Sequence, residues 1–264
     1  MANPLLNAFS LVTAALNRML AWLDSCVHYT SGYILYYLFR GLKPQTHTRP
    51  RKISEGRFYA PAVVITGASE GIGLATARHL ASQGYTVFAT AQDEAELSKI
   101  QTAAYEQAHP RHDQEGTAGG GGSVHPALMD VLSADSISHC AAHVESALAG
   151  DPDRPLVGVV NNAGYCVIAP MELTPDADVR RIFELDFWAY VSVVRAFLPL
   201  VKRNKGRFVS VGSYGGFVNP PLWAPYSAVK AALEGMTRAW RLELMPFGVG
   251  RCTSEQFCVV ATLG

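Results

Sequence analysis

The chain has 264 residues, 49% hydrophobic and 17% charged, a globular make-up sized for one large domain or one domain with an appendage. Lys plus Arg and Asp plus Glu number 22 each, so no global basic excess points to nucleic acid. Five cysteines without a Cys-x-x-Cys pair argue against a zinc ribbon, a disulfide framework and secretion, and suit a reducing compartment.

The N-terminal part differs from the rest. Residues 1–60 hold seven basic and two acidic side chains, a net of +5, and six of the seven basic ones lie between Arg40 and Arg57. Residues 5–23 are mostly apolar, with Asn7, Ser10, Ala14, Asn17, Ala21 and Asp24 recurring in steps of three and four. Such a polar stripe favours a helix lying in a membrane interface over a clean span. Tyr33-Ile34-Leu35-Tyr36-Tyr37-Leu38-Phe39 follows, too short to cross hydrocarbon, which takes about 20 residues, but suited to the headgroup level. The reading is a membrane-associating leader over 1–40, of endoplasmic-reticulum or lipid-droplet type, a basic linker over 41–59, and a cytosolic folded domain over 60–264. A helical arm packed on its own domain or on a partner subunit is the plainer alternative.

From residue 60 onward strands and helices alternate. Short β-branched runs predict strands over 62–66, 85–90, 124–129, 156–160 and 207–211, with helices over 74–83, 93–108, 133–149, 175–202 and 225–245. Strict alternation means an α/β fold, a doubly wound parallel sheet with helices on both faces. Between Gln107 and Pro126 lies a segment with four consecutive glycines, read as a flexible surface excursion. Its histidines, His109, His112 and His125, have no metal-ligand spacing, and no metal is expected.

Thr66-Gly67-Ala68-Ser69-Glu70-Gly71-Ile72-Gly73 joins the first strand to its helix. Glycines there let the backbone turn tightly and bring a pyrophosphate against the helix N-terminus. No Gly-Lys-Ser/Thr follows, which excludes a phosphate-loop NTPase. Further on, Tyr226 and Lys230 stand four apart on one helix face, thirteen and seventeen residues beyond Ser213. An ammonium beside a phenol favours the phenolate, pulling its pKa from about 10 toward working pH. A tyrosine so tuned passes protons at a substrate oxygen while a cofactor handles the hydride.

In this order the pieces resemble the short-chain dehydrogenase/reductase family, whose fold is the Rossmann type. The likeness runs from residue 60 to about 248 and includes Asp130 after the third strand and Asn161-Asn162-Ala163-Gly164 after the fourth. It implies that Gly67, Ser69, Gly71, Ile72 and Gly73 cradle the cofactor diphosphate. Asp130 and Val131 would contact adenine, and Asn162, Ala163 and Gly164 would line the cofactor cleft. By the same resemblance Tyr226 is proton donor or acceptor, Lys230 tunes it and binds the nicotinamide ribose, and Ser213 orients the carbonyl. A homo-dimer or tetramer through the two long helices is implied as well.

Three departures stand out. Where the family usually has an asparagine in the long helix, this chain has Asp186, carried as a fourth catalytic residue whose charge strengthens the hold on Lys230. Related reductases often have Arg where Gln92 stands, which tips the cofactor toward NADP(H), while Asp93 and Glu70 pull toward NAD(H). The family continues past 248 with a Pro-Gly turn, a substrate-covering segment and two more strands; here 16 residues remain, without Pro-Gly. A strand over 257–261 and a truncated or spliced product are the expectations. The reading is therefore an NAD(P)(H)-dependent carbonyl–alcohol oxidoreductase for an apolar steroid, retinoid or acyl-lipid substrate. A non-catalytic dinucleotide-binding or scaffold protein is the alternative.

Overall fold

A computed structural model of the chain describes residues 50–54, 57–108 and 122–249. The 1–40 leader, residues 109–121 of the excursion and the expected strand over 257–261 lie outside the described residues. Among the described residues no helix is long and apolar enough to cross a membrane.

The segment read as linker ends in structure rather than coil. β1 (Arg51–Ser54) and β2 (Arg57–Tyr59) pair antiparallel, and the Arg51 guanidinium lies 4.5 Å from the centre of the Tyr59 ring. A cation over that ring and the burial of Tyr59 give this short ribbon partners beyond its own ladder.

Five parallel strands follow: β3 (Ala62–Ile65), β4 (Thr86–Ala91), β5 (Ser123–Leu128), β6 (Leu156–Asn161) and β7 (Arg207–Ser210), in spatial order β5-β4-β3-β6-β7. The sheet confirms the doubly wound expectation. In β3 every residue is buried, and the period of two divides them: Ala62 and Val64 pack into one core, Val63 and Ile65 into the other. α1 (Gly71–Ser82) and α2 (Glu94–Ala108) cover the second core, where Ala77, Leu80 and Ile100 are buried. α3 (Ala134–Leu148) and α5 (Ala189–Arg203) cover the first, with Ile137, Val144, Val193 and Phe197.

One expectation holds and one is corrected. The strand expected over 124–129 is β5, which takes residues 123–126 out of the excursion; β5 is the outermost strand, so Pro126, opposite Ala89, removes no interior ladder bond. The helix expected over 175–202 is α4 (Asp176–Phe183), a π-turn over Glu184–Trp188, and then α5. The wider turn carries Asp186 fully inside while Trp188 stays exposed, and such turns concentrate at functional sites. A short α6 (Gly215–Val218), the long α7 (Ala224–Leu244) and a 3-10 turn over Met245–Phe247 follow.

Candidate active site

Every predicted site residue outside the helices lies where a strand reaches its C-terminal end, the edge at which open α/β sheets hold ligands. The turn after β3 is fixed by backbone crowding. Gly67 sits at φ 59°, and a Cβ there would lie 2.9 Å from the Ala163 Cα. A Cβ on Gly73 would collide with the Gly67 carbonyl oxygen and come 2.6 Å from Asn162 Nδ2. Gly71 is the opposite case: it is left-handed, at φ 54°, yet a Cβ would meet nothing within 4 Å.

Across this turn Thr66 Oγ1 accepts the backbone N–H groups of Asn162 and Ala163, both at 2.9 Å. Asn162 Nδ2 returns hydrogen bonds to the carbonyls of Thr66 (3.0 Å) and Gly67 (2.9 Å). Asn162 thus braces the cradle with its own amide. Thr66, to which the sequence reading gave no role, is the other half of the clamp. At the start of α1, Glu70 makes no side-chain cap, the first turn holds no acid, and a Cβ on Gly71 would point into open space. A diphosphate fits there on charge and on room.

Farther along the edge, Asp130 Oδ1 accepts the Leu132 N–H at 2.9 Å, and Val131 is buried in the first core. Gln92 donates to Glu96 Oε1 at 3.2 Å, and Asp93 Oδ1 accepts the Glu96 N–H at 2.8 Å at the start of α2. Glu70 stands 3.8 Å from the Lys99 ammonium.

The chemical half is assembled from four segments. α7 carries Tyr226 and Lys230 one turn apart. Lys230 is 5% exposed; its Nζ donates to the Val211 carbonyl at 3.1 Å and pairs with Asp186 Oδ2 at 2.9 Å. Asp186 Oδ1 accepts the Tyr165 N–H at 2.8 Å, which ties the loop after β6 to the lysine. A Cβ on Gly164 would come 3.1 Å from Asp186 Oδ2, so a side chain there would press on the carboxylate. Ser213 hydrogen-bonds the Tyr226 phenol, and its Oγ also accepts the Gly215 N–H at 3.1 Å. The Trp223 ring packs edge-on against Tyr226 at 5.7 Å. Ser213, Tyr226, Lys230 and Asp186 therefore form one connected cluster. A fifth member escaped the sequence reading: Tyr190, buried, with its ring centre 5.6 Å from Lys230 Nζ. Its signal was available in the step of four from Asp186.

Electrostatics correct one expectation. Burial raises the Tyr226 pKa above the ordinary tyrosine value, outweighing the lowering by Lys230 and by the Ser213 hydrogen bond, while Asp186 and Cys166 add to the rise. The ammonium is shared with a carboxylate, so the phenol is not acidified overall. Burial also pulls Lys230 down, but Tyr190, Asp186 and Tyr226 more than offset it and the lysine rises. Burial raises Asp186, and Lys230 draws it back. The two stand at ion-pair distance, 2.9 Å.

A family model described as short chain dehydrogenase matches residues 61–254. The chain is 31% identical over 188 residues to mitochondrial D-beta-hydroxybutyrate dehydrogenase of Bos taurus, 71% of this chain and 51% of that protein. It is 35% identical over 189 residues to estradiol 17-beta-dehydrogenase 2 of Mus musculus, 71% of this chain and 45% of that one. It spans about half the length of these curated relatives. Among solved structures, a metagenomic short-chain oxidoreductase in complex with NADP superposes with a TM-score of 0.60 at 28% identity, covering 71% of this chain and 77% of that one.

Proposed function

The chain belongs to the short-chain dehydrogenase family, and from that premise we propose that it is an NAD(P)(H)-dependent oxidoreductase interconverting a carbonyl and a secondary alcohol. The carrying observation is the Tyr226 phenol, hydrogen-bonded to Ser213 and backed by Lys230, on the sheet edge that also holds the glycine cradle. When bound, the nicotinamide supplies or takes the hydride. The open N-terminus of α1 and the room at Gly71 would hold the diphosphate, with Ser69, Ile72 and Gly73 in the same turn. The protein's own part is acid–base: Ser213 fixes the substrate oxygen against Tyr226 Oη, and the proton moves between those two oxygens. NADP(H) is the proposed form. Gln92 is uncharged, Asp93 spends an oxygen capping α2, and Glu70 faces Lys99.

An apolar substrate is supported by the exposed Tyr165, Met171, Leu173 and Leu222, on two loops joined by the Ala169 N–H to the Leu222 carbonyl at 3.0 Å. One relative is named for estradiol, a substrate of this kind. The 1–40 leader would hold the enzyme at a membrane surface, and the long helices would pair subunits into a dimer or tetramer. The test is loss of reduced-nicotinamide absorbance with a panel of apolar ketones. Tyr226→Phe is expected to lower turnover by roughly 10²–10⁴-fold while calorimetry still shows cofactor binding; turnover unchanged in that variant would refute the assignment.

A second reading, cofactor binding without turnover, is favoured by one observation: Lys230 gives its charge to Asp186. Turnover that depends on Tyr226 disposes of it.

A further inference from the structure

We propose that Trp223 is a positioning residue for the reaction: its indole is the spacer that holds Ser213 against the Tyr226 phenol, and it serves turnover without serving cofactor binding. That role rests on the oxidoreductase reading above and adds a residue to it.

The backbone turns to put the indole there. Leu222 is left-handed at φ 72°, a state that a residue with a side chain keeps only where its surroundings impose it. Its carbonyl is pinned by the Ala169 N–H at 3.0 Å. The turn leaves Leu222 exposed and takes Trp223 inside, 8% exposed, just ahead of α7. The Trp223 N–H donates to the Pro220 carbonyl at 3.3 Å, and its carbonyl accepts the Ser227 N–H at 2.7 Å. The main chain that carries the ring is thus held from both directions.

The contacts of the indole close a loop. It meets the Tyr226 ring edge-on, centroids 5.7 Å apart at 74°, and the Tyr214 ring at 5.5 Å. Its six-membered ring lies against Gly215, where a Cβ would come 3.2 Å from Trp223 Cε3 and 3.4 Å from Ser213 Oγ. Gly215 therefore fills the slot between indole and serine as bare backbone, and its N–H donates to Ser213 Oγ at 3.1 Å. Ser213 in turn hydrogen-bonds the Tyr226 phenol. Ser213 stands beyond β7 and Tyr226 on α7, so the separation of their oxygens is set by packing between segments, with the indole as the wedge.

Proton transfer depends on that separation. The serine, the phenol and the substrate oxygen must come within about 2.6–3.2 Å of one another, and a misplacement of about 1 Å costs roughly 10²-fold in rate. A smaller side chain at 223 leaves a gap that the surroundings close only in part, and Gly215 with Ser213 borders it. The cradle at Gly67 and Gly73 is crowded by Ala163, Ala68 and Asn162 instead, so its grip on the diphosphate is independent of the indole.

The test separates turnover from cofactor affinity. With a ketone that the wild type turns over, Trp223→Leu is expected to lower kcat by about 10²-fold while calorimetry gives an unchanged Kd for NADPH. In a Ser213→Ala background the same change should cost much less, because the contact it disturbs has already gone. Trp223→Phe and Gly215→Ala disturb the slot in opposite senses: the first removes Cε3 and Cζ3, and the second adds a methyl against them. Each alone should lower kcat, and the two together should recover part of the loss. Losses that multiply in the Ser213→Ala background overturn the proposal. So does a Trp223→Leu protein with unchanged kcat, or one whose Kd for NADPH rises in step with the fall in kcat. If Trp223→Leu does not fold, or Ser213→Ala leaves no measurable rate, the Trp223→Phe and Gly215→Ala pair decides alone. A pair no better than the worse single variant then overturns the role. Wild-type turnover that is absent, or unaffected by Tyr226→Phe, sinks the oxidoreductase reading and this role with it; Tyr226-dependent turnover with any of the failures above sinks the role of Trp223 only.

Discussion

The two halves of the site are held by different forces. Around Gly67 and Gly73 the contacts are backbone against backbone, braced by the hydroxyl of Thr66 and the amide of Asn162, with no formal charge among them. Around Tyr226 the contacts are between ionisable groups, and two of them, Lys230 and Asp186, are charged and almost fully buried. Damage to the first half should act through shape and be indifferent to pH. In the second half it should act through charge and follow a titration.

The largest effect belongs to the charged half. Lys230→Met leaves Asp186 buried without its counter-ion, and the loss of stability should be about 3–5 kcal/mol in denaturant unfolding at neutral pH. With the amine gone, the carboxylate's folded pKa rises far above its unfolded one. The penalty is therefore full above the folded pKa and shrinks as pH falls through it. A loss that does not vary with pH would contradict the charge account.

In the cradle, Gly73→Ala forces a methyl into the Gly67 carbonyl and the Asn162 amide, and overpacking of this kind costs about 1–3 kcal/mol. Its unfolding midpoint should drop by the same amount at pH 6 and pH 9. Gly71→Ala is the smaller and more diagnostic change. No neighbour resists the methyl, so only the left-handed backbone is strained, by roughly 1 kcal/mol. Cofactor affinity measured by calorimetry should nevertheless fall, because the open space beside Gly71 is the room assigned to the diphosphate. A Gly71→Ala protein that binds NADPH as wild type does would move the cradle elsewhere.

The strands fall within a residue or so of the apolar runs that predicted them, since a strand buried on both faces must be an unbroken β-branched run and nothing nearby imitates it. The glycine turn was readable for a related reason: it follows directly on such a strand and opens a helix. Pro126 did not hide its strand: a proline argues against an interior strand, but β5 lies at the edge, a position that belongs to the sheet as a whole. The π-turn at 184–188 was invisible, as one added residue per turn leaves the apolar spacing nearly unchanged.

From its sequence alone the chain determined a doubly wound parallel sheet, the glycine cradle, and the identities of Ser213, Tyr226, Lys230 and Asp186, because each of these is encoded by local pattern. Tertiary structure alone decided how those groups titrate. Spacing placed a lysine beside a tyrosine and implied an acidified phenol, but the π-turn brings Asp186 to 2.9 Å from the amine and burial strips water from all three. A pKa is set by what surrounds a group in three dimensions, and that surrounding here comes from segments up to 65 residues apart in the chain, Tyr165 to Lys230.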